Sequence, residues 1–271
     1  MSVQQGQKLP GSDVPLLTIQ KLISSCHFID AHSHSDDYPN RDAMLREVKK
    51  NKILTLNSAV DPESIKAAAA MNKICPWILT ASGIHPWNAG KYSPETVESL
   101  ENEYKSAMHI SEIGMDSVWA PQEADIKKQE ALMESQLSMA LKYNKPVTLH
   151  TKGAEQQVLT QLKSIRPPST LIHWFDGSET QLKEYMNLDC FFTVSPAVFT
   201  DRKFRSLIKK IPLNRLLPET DNPGTWSWLF GEDGHPLQIQ NVIKESASFL
   251  NCDEDELLLC YKENLKAFLL L

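Results

Sequence analysis

The chain has 271 residues, of which 41% are hydrophobic and 23% charged, and its formal net charge is −6. This composition excludes a disordered chain, and the acidic balance excludes a protein that holds duplex DNA through a global basic field. The five cysteines are odd in number and scattered without a Cys-x-x-Cys pair. They therefore favour reduced thiols and a cytoplasmic protein over a disulfide framework.

The N-terminal segment predicts neither a secretory signal nor a membrane span. Gln20 and Lys21 interrupt the apolar residues between Val14 and Ile23, and two serines follow Ile23 directly. No other window approaches about 18 consecutive apolar residues. We expect Met1 to about Val14 to be loose.

Short apolar runs alternate with helical stretches along the chain. Ser93 and Pro94 predict the start of one helix, and Asn144 predicts the end of another that begins near Gln122. Eight apolar runs suit buried strands: Phe28–Asp30, Ile53–Leu56, Trp77–Ala81, His109–Ile113, Val147–Leu149, Thr170–Ile172, Cys190–Val194 and Arg215–Leu217.

Eight strand–helix units predict an α/β protein with the fold of a parallel (β/α)8 TIM barrel. An open doubly wound sheet is the alternative. We expect residues 1–26 to be a partly flexible N-terminal arm and residues 27–271 to be a single hydrolase domain. In a barrel, the active site lies at the C-terminal ends of the strands.

Histidines and acids cluster directly after the predicted strands. His32 and His34 follow the first strand in FIDAHSHSDD, and residues two apart on an extended segment point to the same side, so both imidazoles can hold one ion. Five of the eight histidines follow strands in this way. Further candidates after later strands are His85, Glu112, Asp116, His150, Lys152, His173, Glu219 and Asp221.

Four histidines, one glutamate and one aspartate suffice for two divalent ions if a carboxylate bridges them. This nitrogen and oxygen donor set suits Zn, Mn, Fe or, less comfortably, Mg. Two adjacent ions lower the pKa of a shared water and stabilise charge at a phosphoryl centre. The pattern therefore predicts a hydrolase.

Six motifs in order resemble those of the TatD family of metal-dependent deoxyribonucleases. They are FIDAHSHSDD, SGIHPW, ISEIGMDS, KPVTLHTKGA, LIHWFDGS and LLPETDNPG. The resemblance runs from about Phe28 to the terminal helix. It implies a (β/α)8 barrel of the amidohydrolase-like group that cleaves phosphodiester bonds of DNA.

The resemblance also implies a role for most of these candidate residues. The implied metal ligands are His32, His34 and Asp221 for the first ion, His150 and His173 for the second, and Glu112 as the bridge between them. Asp221 would also orient or deprotonate the attacking water, so Asp221 and Glu112 are the predicted catalytic residues. His85 would either lie near the substrate phosphate or support a ligand, and Glu219 would position a ligand.

Three positions depart from the family pattern. Lys152 stands where relatives have arginine, which keeps the charge but loses the bidentate fork for phosphate. Ser111 replaces a glycine before the bridging glutamate. Asp176 replaces a serine, and an acid near the mouth disfavours a polyanion unless it faces away.

The segment TDNPGTWSWLFGEDGHP after the eighth strand carries Trp226, Trp228 and Phe230. These aromatics either pack against the barrel or form a platform on which bases of a single strand or end can stack, so Trp226 and Trp228 join His85 and Lys152 as candidate substrate-binding residues. The segment resembles that of TatD-like nucleases in bacterial anti-phage operons of the Qat type. This implies antiviral defence and partner subunits that the N-terminal arm would contact.

The sequence thus predicts a cytoplasmic deoxyribonuclease with two divalent ions, Zn, Mn or Mg, that acts on single strands or ends of DNA. One alternative is a metal-dependent hydrolase of another ester or amide, such as aminoacyl-tRNA. Another is a barrel subunit used mainly for complex assembly.

Overall fold

Eight parallel strands form the centre of the molecule. The computed structural model describes residues 16–271. The strands are β1 (Phe28–Ser33), β2 (Ile53–Asn57), β3 (Ile78–Leu79), β4 (Ile110–Gly114), β5 (Val147–His150), β6 (Thr170–Ile172), β7 (Phe191–Val194) and β8 (Leu216–Pro218). Almost every strand residue is buried, because helices cover the outside and inward side chains fill the interior.

The strands pair in chain order and close on themselves. Strands β1 to β3 form one parallel group and β4 to β8 another. A parallel bridge between Ala81 and His109 joins the two groups. The backbone N–H of Asp221 donates to the carbonyl of His32 at 2.9 Å, which joins the end of β8 to β1. The predicted (β/α)8 barrel is confirmed, and the open sheet is rejected.

Helices connect successive strands and cover the barrel. They are α1 (Leu16–Ser25), α2 (Arg41–Asn51), α3 (Pro62–Ile74), α4 (Pro94–Ser99), α5 (Glu101–Ser106), α6 (Ile126–Tyr143), α7 (Glu155–Ser164), α8 (Glu179–Asn187), α9 (Arg202–Ile208), α10 (Gly224–Phe230), α11 (Gln238–Leu250) and α12 (Glu254–Phe268). None of them is both long enough and apolar enough to cross a bilayer.

The predicted helix ends are largely in place. Ser93 caps α4, and Asn144 ends α6 in a left-handed conformation with φ of 51°. However, α6 begins at Ile126 rather than near Gln122. The Asp125 side chain accepts hydrogen bonds from the backbone N–H groups of Lys127 and Lys128, so the helix starts there.

Helix α1 is packed on the barrel although it falls in the stretch predicted to be an arm. Its side chains Ile19 and Ile23 are buried, as is Cys26 after it, and the helix packs against α12. Residues 16–26 therefore belong to the packed barrel rather than to the predicted arm, because these apolar side chains are part of the core. The predicted loose segment from Met1 to about Val14 lies outside the described residues.

Shortening Ile23 to alanine tests whether α1 is part of the folded domain. Ile23 is fully buried, so we expect Ile23→Ala to lower the free energy of unfolding by about 2–5 kcal/mol in urea titrations. Ser24 is the exposed neighbour on the same helix, and Ser24→Ala should change it by no more than about 0.5 kcal/mol. Equal stability of the two variants would contradict the packed helix.

A histidine without hydrogen-bond partners lies just before β4. Both ring nitrogens of His109 are buried and unpaired among the described residues, and the ring meets Phe268 edge-on. Burial, helped by the nearby His32 and Lys145, lowers the pKa of His109 to about 3. The folded protein therefore holds this ring neutral where an unfolded chain would protonate it.

This burial predicts an acid-sensitive contribution to stability. The unfolded chain takes up a proton near its ordinary pKa of about 6.5, whereas the folded chain does not, so stability is full above that pH and falls as the pH drops. Between pH 7 and pH 5 we expect the protein to lose about 2 kcal/mol more than a His109→Leu variant. Urea titrations of both at the two pH values, with chelator present, measure this difference. If both proteins lost the same free energy of unfolding between the two pH values, His109 would have to be protonated in the folded protein as well.

Candidate active site

The carboxyl ends of the strands surround one open cleft. It has a volume of about 640 Å³. Residues that follow the strands point into it because all parallel strands end at the same rim. The cleft lining includes His34, His85, Glu112, His150, His173 and Asp221, and His32 lies buried beneath it.

Glu112 and Asp221 face the histidine pair that follows β1. The carboxylate oxygen Oε2 of Glu112 is 3.3 Å from Nε2 of His32 and 3.4 Å from Nε2 of His34. The oxygen Oδ1 of Asp221 is 3.5 Å and 3.3 Å from the same two nitrogens. Two nitrogens and two carboxylate oxygens therefore converge on one point.

The other oxygen of Glu112 faces a second group of histidines. Its Oε1 is 3.0 Å from Nδ1 of His150, 3.6 Å from Nε2 of His85 and 4.0 Å from Nε2 of His173. The ring of His173 also stacks on that of His32, with centroids 3.9 Å apart. Glu112 thus lies between two ligand groups, as a bridging carboxylate would.

Hydrogen bonds on the outer side of the first pair decide which nitrogen faces the cleft. Nδ1 of His34 lies 3.1 Å from the carbonyl of Ser58, and a carbonyl only accepts, so Nδ1 carries the proton. Nδ1 of His32 lies 2.9 Å from Oγ of Ser58, which in turn contacts Oγ of Ser111 at 2.9 Å. Ser111 therefore supports the ring of His32, a candidate ligand, through Ser58.

Carboxylates hold the second pair in the same way. Nε2 of His150 lies 2.9 Å from Asp116, and Nδ1 of His173 lies 2.8 Å from Glu219. Each contact leaves the other ring nitrogen directed at the cleft, which is how proteins orient ligating histidines. Glu219 thus lies where the sequence predicted a supporting residue.

The donor set fits divalent ions. Nε2 of His32 is buried and has no hydrogen-bond partner within residues 16–271, yet it faces two carboxylates, as expected of a ligand atom. Nitrogen and carboxylate oxygen atoms suit Zn, Mn or Fe. Three groups have ligand atoms within 4.8 Å of one another: His32–His34–Glu112, His32–His173–Asp221 and His85–Glu112–His150.

The charges in the cleft favour ionised carboxylates. Burial would raise the pKa of Glu112, but His85, His32 and His150 hold it well below its usual value. Burial likewise opposes ionisation of Asp221, but His173 and His34 lower its pKa. Both side chains are therefore negative at neutral pH, which is the state that a cation requires.

Asp116, to which the sequence assigned no role, accepts four hydrogen bonds. Its Oδ2 accepts from His150 and from Nε1 of Trp87 at 2.7 Å. Its Oδ1 accepts from the backbone N–H groups of Val118 at 2.7 Å and Trp119 at 2.8 Å. Asp116 therefore joins a candidate metal ligand to the loop that carries Trp119.

Lys152 lies in the cleft, as predicted for a substrate-binding residue, but its charge is already engaged. Its Nζ is 2.7 Å from Oδ2 of Asp176 and 4.7 Å from the ring centre of Trp119. The other oxygen of Asp176 is 2.8 Å from Lys203. The acid expected to repel a polyanion is thus neutralised by two lysines.

The two tryptophans of α10 have different surroundings. Trp228 is 65% exposed and lines the cleft. Trp226 is buried, packs against Phe199 and Phe230, and is absent from the cleft lining. The prediction that Trp226 binds substrate is therefore corrected, because its ring faces are covered by the protein itself.

Three further tryptophans line the cleft. The sequence analysis assigned no role to them. Trp87, Trp119 and Trp174 join Trp228, so four of the six tryptophans lie there. Each of the three comes within a few residues of the end of a predicted strand. Because residues at those ends share one rim, this position was the signal that could have identified them.

Comparisons with known proteins agree with this geometry. A protein-family model described as TatD related DNase matches residues 29–269. An uncharacterized metal-dependent hydrolase of Methanocaldococcus jannaschii is 27% identical over 250 residues, which cover 89% of this chain and 96% of that protein. A relative from Edwardsiella piscicida named as a 3'-5' ssDNA/RNA exonuclease is 28% identical over 198 residues, covering 70% of this chain and 74% of its own.

The crystal structure of YjjV, a TatD homologue from Escherichia coli K12, has the same fold. It superimposes with a TM-score of 0.81 and 26% sequence identity, over 90% of this chain and 98% of that one. The family match spans nearly the whole described chain and includes every histidine and carboxylate in the cleft. The chain therefore belongs to the TatD family of metal-dependent hydrolases, which act on ester bonds.

Proposed function

We propose that this hydrolase cleaves phosphodiester bonds of DNA at single strands or ends, with two divalent ions, Zn, Mn or Mg, in the cleft. The observation that carries the proposal is the position of Glu112, whose two carboxylate oxygens each face a separate group of histidines. The exonuclease name of one relative supports a nucleic-acid substrate. An open cleft at the rim of the barrel gives a polymer access.

By resemblance to the family, the two proposed ions would occupy neighbouring positions in the cleft. His32, His34 and Asp221 would hold one ion, His150 and His173 the other, and Glu112 would contact both. Two ions so held supply Lewis-acid stabilisation for the attacking and leaving oxygens and lower the pKa of water.

In this proposal, Asp221 would accept a proton from the attacking water. Its Oδ2 accepts a hydrogen bond from Oγ1 of Thr225 at 2.6 Å, which fixes the carboxylate plane. Its Oδ1 faces His32 and His34. His173 and His34 keep the carboxylate ionised, and an ionised carboxylate at the reacting centre can act as a general base.

His85 is placed to donate a hydrogen bond into the cleft. Its Nδ1 accepts from the backbone N–H of Trp87 at 3.2 Å, so a neutral His85 carries its proton on Nε2. Burial lowers the pKa of His85, which favours the neutral ring. Its Nε2 lies 3.6 Å from Glu112, and from there the N–H can reach a phosphate oxygen next to the ions.

Lys152 contributes a positive charge at the rim rather than a tight phosphate clamp. Its Nζ is shared between Asp176 and the face of Trp119. A lysine lacks the bidentate fork of the arginine found in relatives, and this one is already paired. We therefore expect Lys152 to orient substrate weakly.

A role in antiviral defence, with partner subunits, is also proposed. Its one support is that the segment containing α10 resembles that of TatD-like nucleases in anti-phage operons of the Qat type. Loss of phage protection in cells that carry His150→Ala, with the protein still present at normal levels, would support a catalytic role in defence. Unchanged protection by that variant would favour the alternative of an assembly subunit.

Replacing Asp221 by asparagine tests the catalytic assignment. Asparagine keeps the shape and tolerates the left-handed backbone of this position, where φ is 52°, but it accepts no proton. We expect kcat/KM on end-labelled single-stranded DNA to fall by about 10²–10⁴-fold with Mn or Mg present. His150→Ala should also abolish metal-dependent cleavage.

The matched control is Asp42→Asn on the exposed side of α2, which should keep full activity. Thermal unfolding should show that all three variants fold. Full activity in both cleft variants would refute the assignment. A parallel panel of aminoacyl-tRNA and small esters tests the alternative substrates, and turnover of these with DNA left intact would favour that hydrolase.

Replacing Asp116 by asparagine tests its link to the metal ligand His150. The variant loses the charge that holds His150 Nε2, so we expect metal affinity to weaken by about 10–100-fold. Metal content after dialysis against buffered metal measures this directly, without reference to activity. Asp125→Asn at the start of α6 is the control, and equal metal retention by both variants would contradict the role of Asp116.

A further inference from the structure

Three tryptophans continue outward from the metal ligands as a connected series. The ring of Trp174 lies 6.2 Å from that of His173, measured between centroids. The ring of Trp228 lies 6.1 Å from Trp174, and the ring of Trp119 lies 5.9 Å from Trp228. We call Trp174, Trp228 and Trp119 the tryptophan wall.

Two tryptophans of the wall leave much of their ring surface exposed instead of packing it into the core. Trp119 is 49% exposed and Trp228 is 65% exposed, and beside them Val118 is 55% exposed. Large aromatic faces in a cleft next to reactive groups are typical of a binding surface. The wall comes from three separate segments, two loops after β4 and β6 and the helix α10 after β8, which the barrel brings together.

Hydrogen bonds hold two members of the wall in place. The backbone N–H of Trp119 donates to Asp116, the same side chain that contacts His150. The backbone N–H of Trp174 donates to Oγ1 of Thr193 at 2.8 Å. Their positions relative to the metal ligands are therefore set before substrate arrives, which reduces the entropy lost on binding.

Few cations are available to hold a polyanion. Among the described residues, Lys152 is the only lysine or arginine that lines the cleft, and it is paired with Asp176. The carboxylates of Asp37, Glu112 and Asp221 also line it. Phosphate contacts beyond the ions would therefore contribute little, and the exposed rings of the wall are left to bind the rest of a nucleotide chain.

We propose that the tryptophan wall binds unpaired nucleobases by stacking, next to the phosphodiester bond that is cleaved, and that it makes the enzyme selective for single strands. This inference rests on the proposed function, and it names the surface that would select single-stranded substrate. Every base has a π-face, so stacking is tolerant of sequence. In a duplex the neighbouring pairs cover these faces, so only a single strand or a frayed end can reach the wall.

Substitutions of Trp228 test the wall. We expect Trp228→Ala to reduce kcat/KM on a single-stranded oligonucleotide by about tenfold, with the loss mainly in KM. Trp228→Phe keeps a π-face and should recover most of this loss, whereas Trp228→Leu is apolar but not aromatic and should not. Leu259→Ala removes an equally exposed side chain on α12 outside the cleft and should behave as the unsubstituted protein.

A substrate without bases separates the inference from the proposed function. Two matched single strands are compared, one normal and one with abasic residues at the positions flanking the cleaved bond. We expect the unsubstituted protein to cleave the abasic strand about tenfold less efficiently than the normal strand. The Trp228→Ala variant should cleave the two strands with equal efficiency. Equal cleavage of both strands by the unsubstituted protein would overturn the wall but leave the nuclease. Cleavage of neither would overturn the proposed function itself.

The salt dependence of binding gives an independent measurement. With one phosphate contact from Lys152, the affinity for a labelled oligothymidylate in chelator should fall only about threefold between 50 and 200 mM salt. A groove with six phosphate contacts would lose about 300-fold over this range. A steep loss would show that phosphate contacts dominate and would contradict the wall as the main binding surface.

Discussion

The arrangement of the active site depends on one buried carboxylate. Glu112 is only 2% exposed, and an isolated ionised carboxylate costs several kcal/mol when it is removed from water. Histidine nitrogens on both sides keep it ionised, and they reach it because five histidines follow parallel strands that end at one rim. The two groups of histidines around Glu112 therefore require a closed barrel, since an open sheet would separate β1 from β8.

The sequence was most informative where barrel geometry constrains it. All eight strands and the clustering of histidines and carboxylates at their ends could be predicted, because short buried strands read as apolar runs and their ends converge. The outer partners were less visible. Ser58 and Asp116 orient ligand rings through contacts that span 26 and 34 residues, and no local pattern encodes such a distance.

The pair Trp226 and Trp228 shows why side-chain direction was harder to predict. In an extended loop, the rings of Trp226 and Trp228 could share one surface. In the structure this segment is the helix α10, and residues two apart on a helix point about 200° apart. One ring therefore enters the core while the other enters the cleft. A helical reading of Gly224–Phe230 would have separated the two tryptophans.

The backbone of Trp174 has a consequence for the evolution of this enzyme. Its φ of 40° lies in the left-handed region, which costs a bulky residue about 1–3 kcal/mol relative to glycine. Selection for thermal stability alone would favour glycine or asparagine here and would discard the ring beside His173. A tryptophan held at this cost is expected where its ring serves activity, as proposed for the tryptophan wall. If the tryptophan wall binds substrate as proposed, stability and activity pull in opposite directions at position 174, and laboratory evolution could follow that trade-off directly.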